Sequence, residues 1–355
     1  MQSAPVMSVL PATPPRRARW RRLVKPAFFV LASAITVWVL INNGDELLAA
    51  LDNISHVSPG WLALALIAEV ASYVAYAAGE QRLLADSGAR VGLIPLTELS
   101  VAAQAAAFCI PGGVAVSGVV TYRVLRRFRV APALVVAVVF IVSALYMVAL
   151  AVLALVAVAV AGTQNAIPNL LPISFGLLAF VGVLVGVVVV LRRRGTLARF
   201  VRRFAEVMES FAQRAGLEGS GPSGEWAGQL AQVSFRPTAV AVSTLLLVAC
   251  WLGDALCLAL CFFAVGVTPP WQGLLLIYAA AQLAATLPIT PGGLGVLEGS
   301  LTVGLVAFGG AEASTLSAVL LYRLISFWGL LPTGGLAYLR VRRGWRRDEA
   351  AKAAA

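Results

Sequence analysis

Apolar residues run along this chain in blocks too long for the core of a soluble domain, and most polar residues are gathered between them. Unbroken blocks lie near 26–41, 61–80, 131–161, 171–191, 237–265 and 313–339. A helix needs about 20 apolar residues to cross the hydrocarbon of a bilayer, and these blocks reach or approach that length. Two more apolar regions, 94–122 and 272–309, are each interrupted by Pro-Gly-Gly. The pieces on either side of the interruptions (96–110, 114–125, 274–287 and 294–308) hold only 12 to 15 residues. At about 1.5 Å rise per residue, each covers roughly two-thirds of a core about 30 Å thick. The pattern predicts an all-α polytopic membrane protein with about six transmembrane helices and two re-entrant helical hairpins.

Composition agrees with this reading. The chain is 60% hydrophobic and 12% charged, with a mean hydropathy of +0.89. Soluble domains are about 25% charged. The four cysteines make no disulfide framework: Cys250, Cys257 and Cys261 share one helical stripe and read as packing residues, while Cys109 stands alone.

The net charge of +11 raises the question of nucleic acid, and its placement answers it. Of the 27 Lys and Arg residues, the N-terminal tail has six, residues 81–95 two, 123–129 four, 192–236 eight and the tail from Arg340 six. The alternate loops, 42–60, 162–170, 266–271 and 309–312, have none. This asymmetry is the positive-inside signal, and it puts both termini in the cytoplasm. The basic charge is therefore a topology signal and an attraction to anionic lipid, with no nucleic-acid partner expected. The first apolar block starts late and keeps its small residues, Ala32 to Ala34, inside it, so it reads as a retained helix rather than a cleaved signal.

The expected organisation is a basic tail (1–25), one membrane domain (26–341) and a second cytoplasmic tail (342–355). Within the domain, repeat units span about 61–162 and 237–341. A cytoplasmic linker helix at 196–215 joins them; its stretch LARFVRRFAEVMESF (197–211) is amphipathic and suits the bilayer surface.

The repeat units rest on the two interruptions. AAQAAAFCIPGGVAVSG and AAAQLAATLPITPGGLGVLEG place their PGG triplets 180 residues apart. Each has an Ala-rich approach carrying a glutamine, Gln104 or Gln282, and each follows a long apolar block carrying an acid, Glu69 or Asp254. With the predicted topology, the first break is approached from the cytoplasm and the second from outside. The halves then run antiparallel, as in secondary transporters whose discontinuous helices meet near the midplane. Broken backbone survives at that depth only where protein or water satisfies it.

The candidate chemistry gathers at these breaks. A helix starting after Gly112–Gly113 or Gly292–Gly293, with Gly295 following, presents free amides and a positive dipole end to an anion, and phosphate is the anion at hand. A tight turn between helices is the bland alternative. Glu298 is expected about two turns into the helix after the second break, and an intramembrane carboxylate is a functional candidate by default. Arg323, in VLLYRLISFW, is the one basic residue inside a span and needs a partner, with Glu298 and Asp254 both available. Asp254 and Glu69 are further embedded acids. Glu80 and Glu98 read as solvated. Arg123 heads the cluster Arg123, Arg126, Arg127 and Arg129 at the cytoplasmic end of the first hairpin and is its member most suited to point inward. His56 lies in an outside loop.

At PGGLGVLEG and the downstream LYRLISFW the sequence resembles the membrane region of bacterial lysylphosphatidylglycerol synthases, a flippase-like family that includes stand-alone membrane proteins. The resemblance covers nearly all of residues 24–340. It implies two re-entrant repeats and, in the best-known members, translocation of an aminoacylated phospholipid between leaflets. Pro291, Gly292, Gly293, Gly295, Glu298 and Arg323 match the family pattern. Bifunctional relatives carry a soluble aminoacyl-transferase domain after the membrane region, and this chain ends some fifteen residues after its last predicted helix. Synthesis of lysylphosphatidylglycerol by the chain alone is therefore not expected.

The function this favours is a lipid flippase in the plasma (inner) membrane of a bacterium. Its partner would be an anionic or aminoacylated phospholipid, or a polyprenyl-phosphate-linked lipid, supplied by a separate synthase or glycosyltransferase. No G-x-x-x-x-G-K-[ST] loop is present, so transport is passive or proton-coupled, with Glu298 and Asp254 as proton carriers. No cofactor, metal or catalytic residue is assigned. A lipid-modifying enzyme and a non-transporting assembly partner are the alternatives; the first lacks an acid–base or metal set.

Overall fold

The computed structural model describes residues 57–109, 113–163, 233, 235–286 and 291–340. Among them the regular elements are all helical. They are α1 (Pro59–Asp86), α2 (Leu93–Cys109), α3 (Gly113–Arg127), α4 (Pro132–Thr163), α5 (Pro237–Ala264), α6 (Trp271–Ala285), α7 (Val296–Ala307) and α8 (Glu312–Arg340). Four stretches are long and apolar enough to cross a membrane: Pro59–Asp86, Ala133–Val160, Pro237–Ala264 and Glu312–Arg340. The expected spans at 26–41 and 171–191, the linker helix, both tails, Gly112 and His56 lie outside the described residues.

α1 and α5 form the most extensive helix pair. Each has 28 residues, begins with a proline in its first turn and stops at a left-handed glycine, Gly88 (φ 82°) or Gly266 (φ 83°). Proline suits the first turn because the N–H it lacks would have no intrahelical partner. The glycine lets the chain turn back so that its amides cap the last carbonyls. Gly88 N donates to Ala85 O and Ala89 N to Leu84 O; Gly266 N donates to Phe263 O and Val267 N to Phe262 O.

The two helices lie antiparallel in register along their whole length. Ser58 N donates to Ala264 O at one end (2.9 Å), and Arg236 N donates to Asp86 Oδ2 at the other (2.8 Å). Between them Ser243 Oγ donates to Gly79 O (2.9 Å), and Ser72 Oγ meets Cys250 Sγ (3.3 Å). Small residues allow this approach: a methyl on Gly253 would lie 3.3 Å from Ala68 O. The outward faces carry Leu64, Ile67 and Val70 on α1 and Leu245, Leu252 and Leu256 on α5, all exposed. An apolar outer surface on an apolar interior is what a helix in lipid presents.

α2 packs on α3, and α6 packs on α7. The two pairs carry the interruptions. α6 and α7 have 15 and 12 residues, too short at about 1.5 Å per residue to cross about 30 Å singly. The second break extends further than the sequence pattern indicates. Gly292, Gly293 and Gly295 all have positive φ (61°, 68° and 80°), so α7 begins only at Val296. Glu298 therefore sits in the first turn of α7, not two turns in. Glu80 also departs from expectation. It is buried (5% exposed) on the last third of α1 rather than solvated. Glu98 is half-buried and accepts a hydrogen bond from Arg340 Nη1 at 3.2 Å.

α8 is regular to Arg323, then widens into a π-type turn at Leu324–Trp328, where Gly329 N reaches back to Leu324 O (2.8 Å). Such single wide turns recur at functional positions in helices. α8 packs on α5 and α7, and Gly334 brings it against α2, where an added methyl would lie 2.3 Å from Ala105 Cβ.

Candidate functional site

Two polar clusters lie side by side in this apolar body. The first closes the second helix break. Glu298 Oε2 accepts from Gly295 N at 2.7 Å, using one of the amides that the start of α7 leaves without an intrahelical partner. Glu298 Oε1 accepts from Arg323 Nε at 2.6 Å, and Arg323 Nη2 donates to Gly292 O at 3.1 Å. The guanidinium sits 4.6 Å from the centroid of the Phe327 ring, which stacks on Phe108 of α2 at 5.7 Å. One arginine thus ties α8 to both sides of the break.

The charges dictate that geometry. An arginine at the centre of a membrane helix costs about 2.5–3.5 kcal/mol on insertion scales, and a carboxylate partner with an aromatic face lowers that cost. Of the two partners available in the sequence, Arg323 takes Glu298. The free amides expected at the start of α7 are partly engaged, because Glu298 already occupies the Gly295 N–H.

The second cluster surrounds Asp254 of α5. Its carboxylate accepts from Tyr278 Oη and Gln282 Nε2 (3.1 Å) of α6, and from Tyr322 Oη of α8 (2.9 and 3.0 Å). Gln282 Nε2 also donates to Tyr322 Oη at 3.2 Å. From α1, the Glu69 carboxyl comes within hydrogen-bond reach of Asp254, with Tyr73 one helical turn further on contacting Glu69. Tyr73 Oη points to Ser326 O in the wide turn, 3.5 Å away. Tyr322 and Arg323 are neighbours in sequence, so α8 hands one residue to each cluster.

Of the residues the sequence singles out, Glu298, Arg323, Gly292 and Gly295 meet at the break, while Gly293 holds its left-handed turn there. Asp254, Glu69 and Gln282 meet in the second cluster. Gln104 and Arg123 are half-buried on α2 and α3, and no hydrogen bond among the described residues joins them to either cluster. Gly113 begins α3. Sequence reasoning missed Tyr73, Tyr278 and Tyr322. The signal was present, since Glu69–Tyr73 and Tyr278–Gln282 are each four apart and share a helix face.

The fold and the two clusters define an all-helical integral membrane protein with a charge pair closing a helix break between its spans. Residues 23–334 match the lysylphosphatidylglycerol synthase TM region family, and the chain belongs to it. Two proteins of Methanothermobacter thermautotrophicus, each named UPF0104 membrane protein, are similar over shorter stretches. One is 44% identical over 78 residues, 22% of either chain. The other is 33% identical over 99 residues, which is 28% of this chain and 30% of the relative. The matches thus span under a third of the relatives' own lengths. Both relatives are archaeal membrane proteins, and neither name states an activity.

Proposed function

We propose that this protein moves a polar-headed phospholipid between leaflets, with the head group passing the second helix break and the acyl chains remaining in lipid. The observation that carries the proposal is the Arg323–Glu298 pair at the broken backbone. Glu298 stands where a lipid phosphate would sit: it gives Arg323 an anionic partner and takes an amide at a helix start. Phosphate is chemically suited to the same two donors. A lipid head group entering the break competes with Glu298 for Arg323, and the pair re-forms when the head group leaves. The family description, a lysylphosphatidylglycerol synthase membrane region, supports an anionic or aminoacylated phospholipid as the cargo.

Passage through the middle would follow from an inverted arrangement of two half-chains, which the pairing of α1 with α5 supports. Ser72 and Cys250 are 178 residues apart. The same step along the chain carries Pro59 to Pro237, Asp86 to Ala264 and Gly88 to Gly266. The end contacts exchange under it: Ser58–Ala264 becomes Arg236–Asp86. That exchange is what a two-fold axis through the Ser72–Cys250 contact requires, and such an axis in the membrane plane is the plan of inverted-repeat transporters. The breaks then act as re-entrant hairpins, with Gly112–Gly113 as the first half's counterpart of Gly292–Gly293.

The test is translocation of nitrobenzoxadiazole-labelled phosphatidylglycerol in proteoliposomes, read by dithionite quenching. Wild-type protein should raise the rate above empty vesicles, and Glu298→Gln should lower it at least tenfold. An unchanged rate in the variant would remove Glu298 from the mechanism.

A further inference from the structure

The Arg323–Glu298 pair is balanced, and the neighbouring cluster is not. Glu69 and Asp254 lie carboxyl to carboxyl, and Arg323 is a cation whose charge reaches Asp254. That arginine is already committed to Glu298 and Gly292. Arg323 thus serves Glu298 directly and Asp254 only at longer range, inside a membrane body where an uncompensated charge costs several kcal/mol.

The other groups facing the pair bring hydrogen bonds to Asp254 but no positive charge. They are Tyr73 from α1, Tyr146 from α4, Tyr278 from α6 and Tyr322 from α8. α5 itself adds the thiols of Cys250, Cys257 and Cys261. None of these phenols and thiols supplies a positive charge.

Two buried oxygens at this place also lack any hydrogen-bond partner: Glu69 Oε2 and Ser326 Oγ. Their residues are 6% and 8% exposed. Tyr73 stands between them, contacting Glu69 and pointing at Ser326 O. An unsatisfied buried oxygen is costly, and a cation beside the acid pair would satisfy both.

We infer that Glu69 and Asp254 hold a small monovalent cation, a proton or a sodium ion, between α1, α5 and the wide turn of α8. Among the described residues no three His, Cys, Asp or Glu side chains are placed so that they could share a metal ion, as a transition metal would require. The available donors are carboxyl, phenol, hydroxyl and backbone carbonyl oxygens, which suit a hard ion of low charge. Backbone carbonyls freed where a membrane helix departs from regularity are a known way to hold a coupling ion. The site deepens the transport reading on which it rests. Tyr322 is bonded to Asp254 and is the residue before Arg323, so cation release at Asp254 would be felt at the head-group pair.

The experiment uses the full chain, purified in detergent and in proteoliposomes. Thermal unfolding is measured in sodium, potassium and choline chloride at equal ionic strength and at a series of pH values, for wild type, Glu69→Gln and Asp254→Asn. A sodium site predicts a midpoint higher in sodium than in choline by on the order of 5 °C at about 100-fold excess over Kd. That difference should be absent in both variants. A proton site predicts midpoints indifferent to the salt, with a gap between wild type and each variant that changes with pH. Midpoints independent of salt, and variant gaps constant across pH, overturn the inference. Lipid translocation under imposed sodium and pH gradients is measured separately, so cation binding without transport would refute the transport reading and leave the site standing.

Discussion

Ser72 and Cys250 touch at the midpoints of α1 and α5, with Oγ and Sγ 3.3 Å apart. The contact is where a two-fold axis relating the halves would pass, and it is testable without an added cysteine in α5. Ser72→Cys under mild oxidation should form an intrachain disulfide with Cys250, seen as a cross-linked peptide by mass spectrometry. Persistently free thiols would contradict the register of the two helices.

Glu298→Gln leaves the buried Arg323 without its anionic partner, which in other proteins costs about 3–5 kcal/mol. The unfolding midpoint in detergent should fall by roughly 6–10 °C at about 2 °C per kcal/mol. Adding Arg323→Gln should recover part of the loss, because the orphaned charge is then gone. If the double variant lost the sum of the single effects, the two residues would not be coupled.

Much of this architecture was legible in the sequence, for reasons particular residues make plain. Four of the six long apolar blocks coincide with helices long and apolar enough to cross a membrane, and the second PGG separates α6 from α7. What stayed hidden was local. Three glycines within four positions carry the second break past Gly295, so Glu298 landed in the first turn of α7. Glu80 looked solvated from its place near a helix end, but α1 continues past it to Asp86. The pairing of Arg323 with Glu298 rather than Asp254 needed three tyrosine and glutamine donors around Asp254, and their convergence from α6 and α8 is a tertiary fact. The equal spacing of Pro59 to Gly88 and of Pro237 to Gly266 was readable in the sequence as well.

Gly292→Ala tests the break itself. Gly292 has a positive φ of 61°, and an added methyl would lie 2.3 Å from Phe327 Cε2. The left-handed conformation costs about 1–2 kcal/mol for an L-residue, and displacing Phe327 also disturbs the ring beneath Arg323. Thermal unfolding should show a loss of at least about 3 °C. A midpoint equal to wild type would mean that the backbone here is not held as described.

Tyr322→Phe removes a hydrogen bond to Asp254 while keeping the ring. Loss of a bond to a charged group costs about 1.5–3 kcal/mol. Tyr278→Phe should cost a similar amount, and the pair should be non-additive because both donate to one carboxylate. Additive midpoints in thermal unfolding would place the two tyrosines in separate environments.

Native mass spectrometry of the detergent-purified protein with phosphatidylglycerol tests the central claim most directly, comparing wild type, Glu298→Gln and Arg323→Gln. In the proposed mechanism Glu298 competes with phosphate for Arg323, so removing it should increase the bound lipid fraction, while removing the arginine should decrease it. Equal lipid retention in all three, or loss in both variants alike, would contradict a head-group site at Arg323.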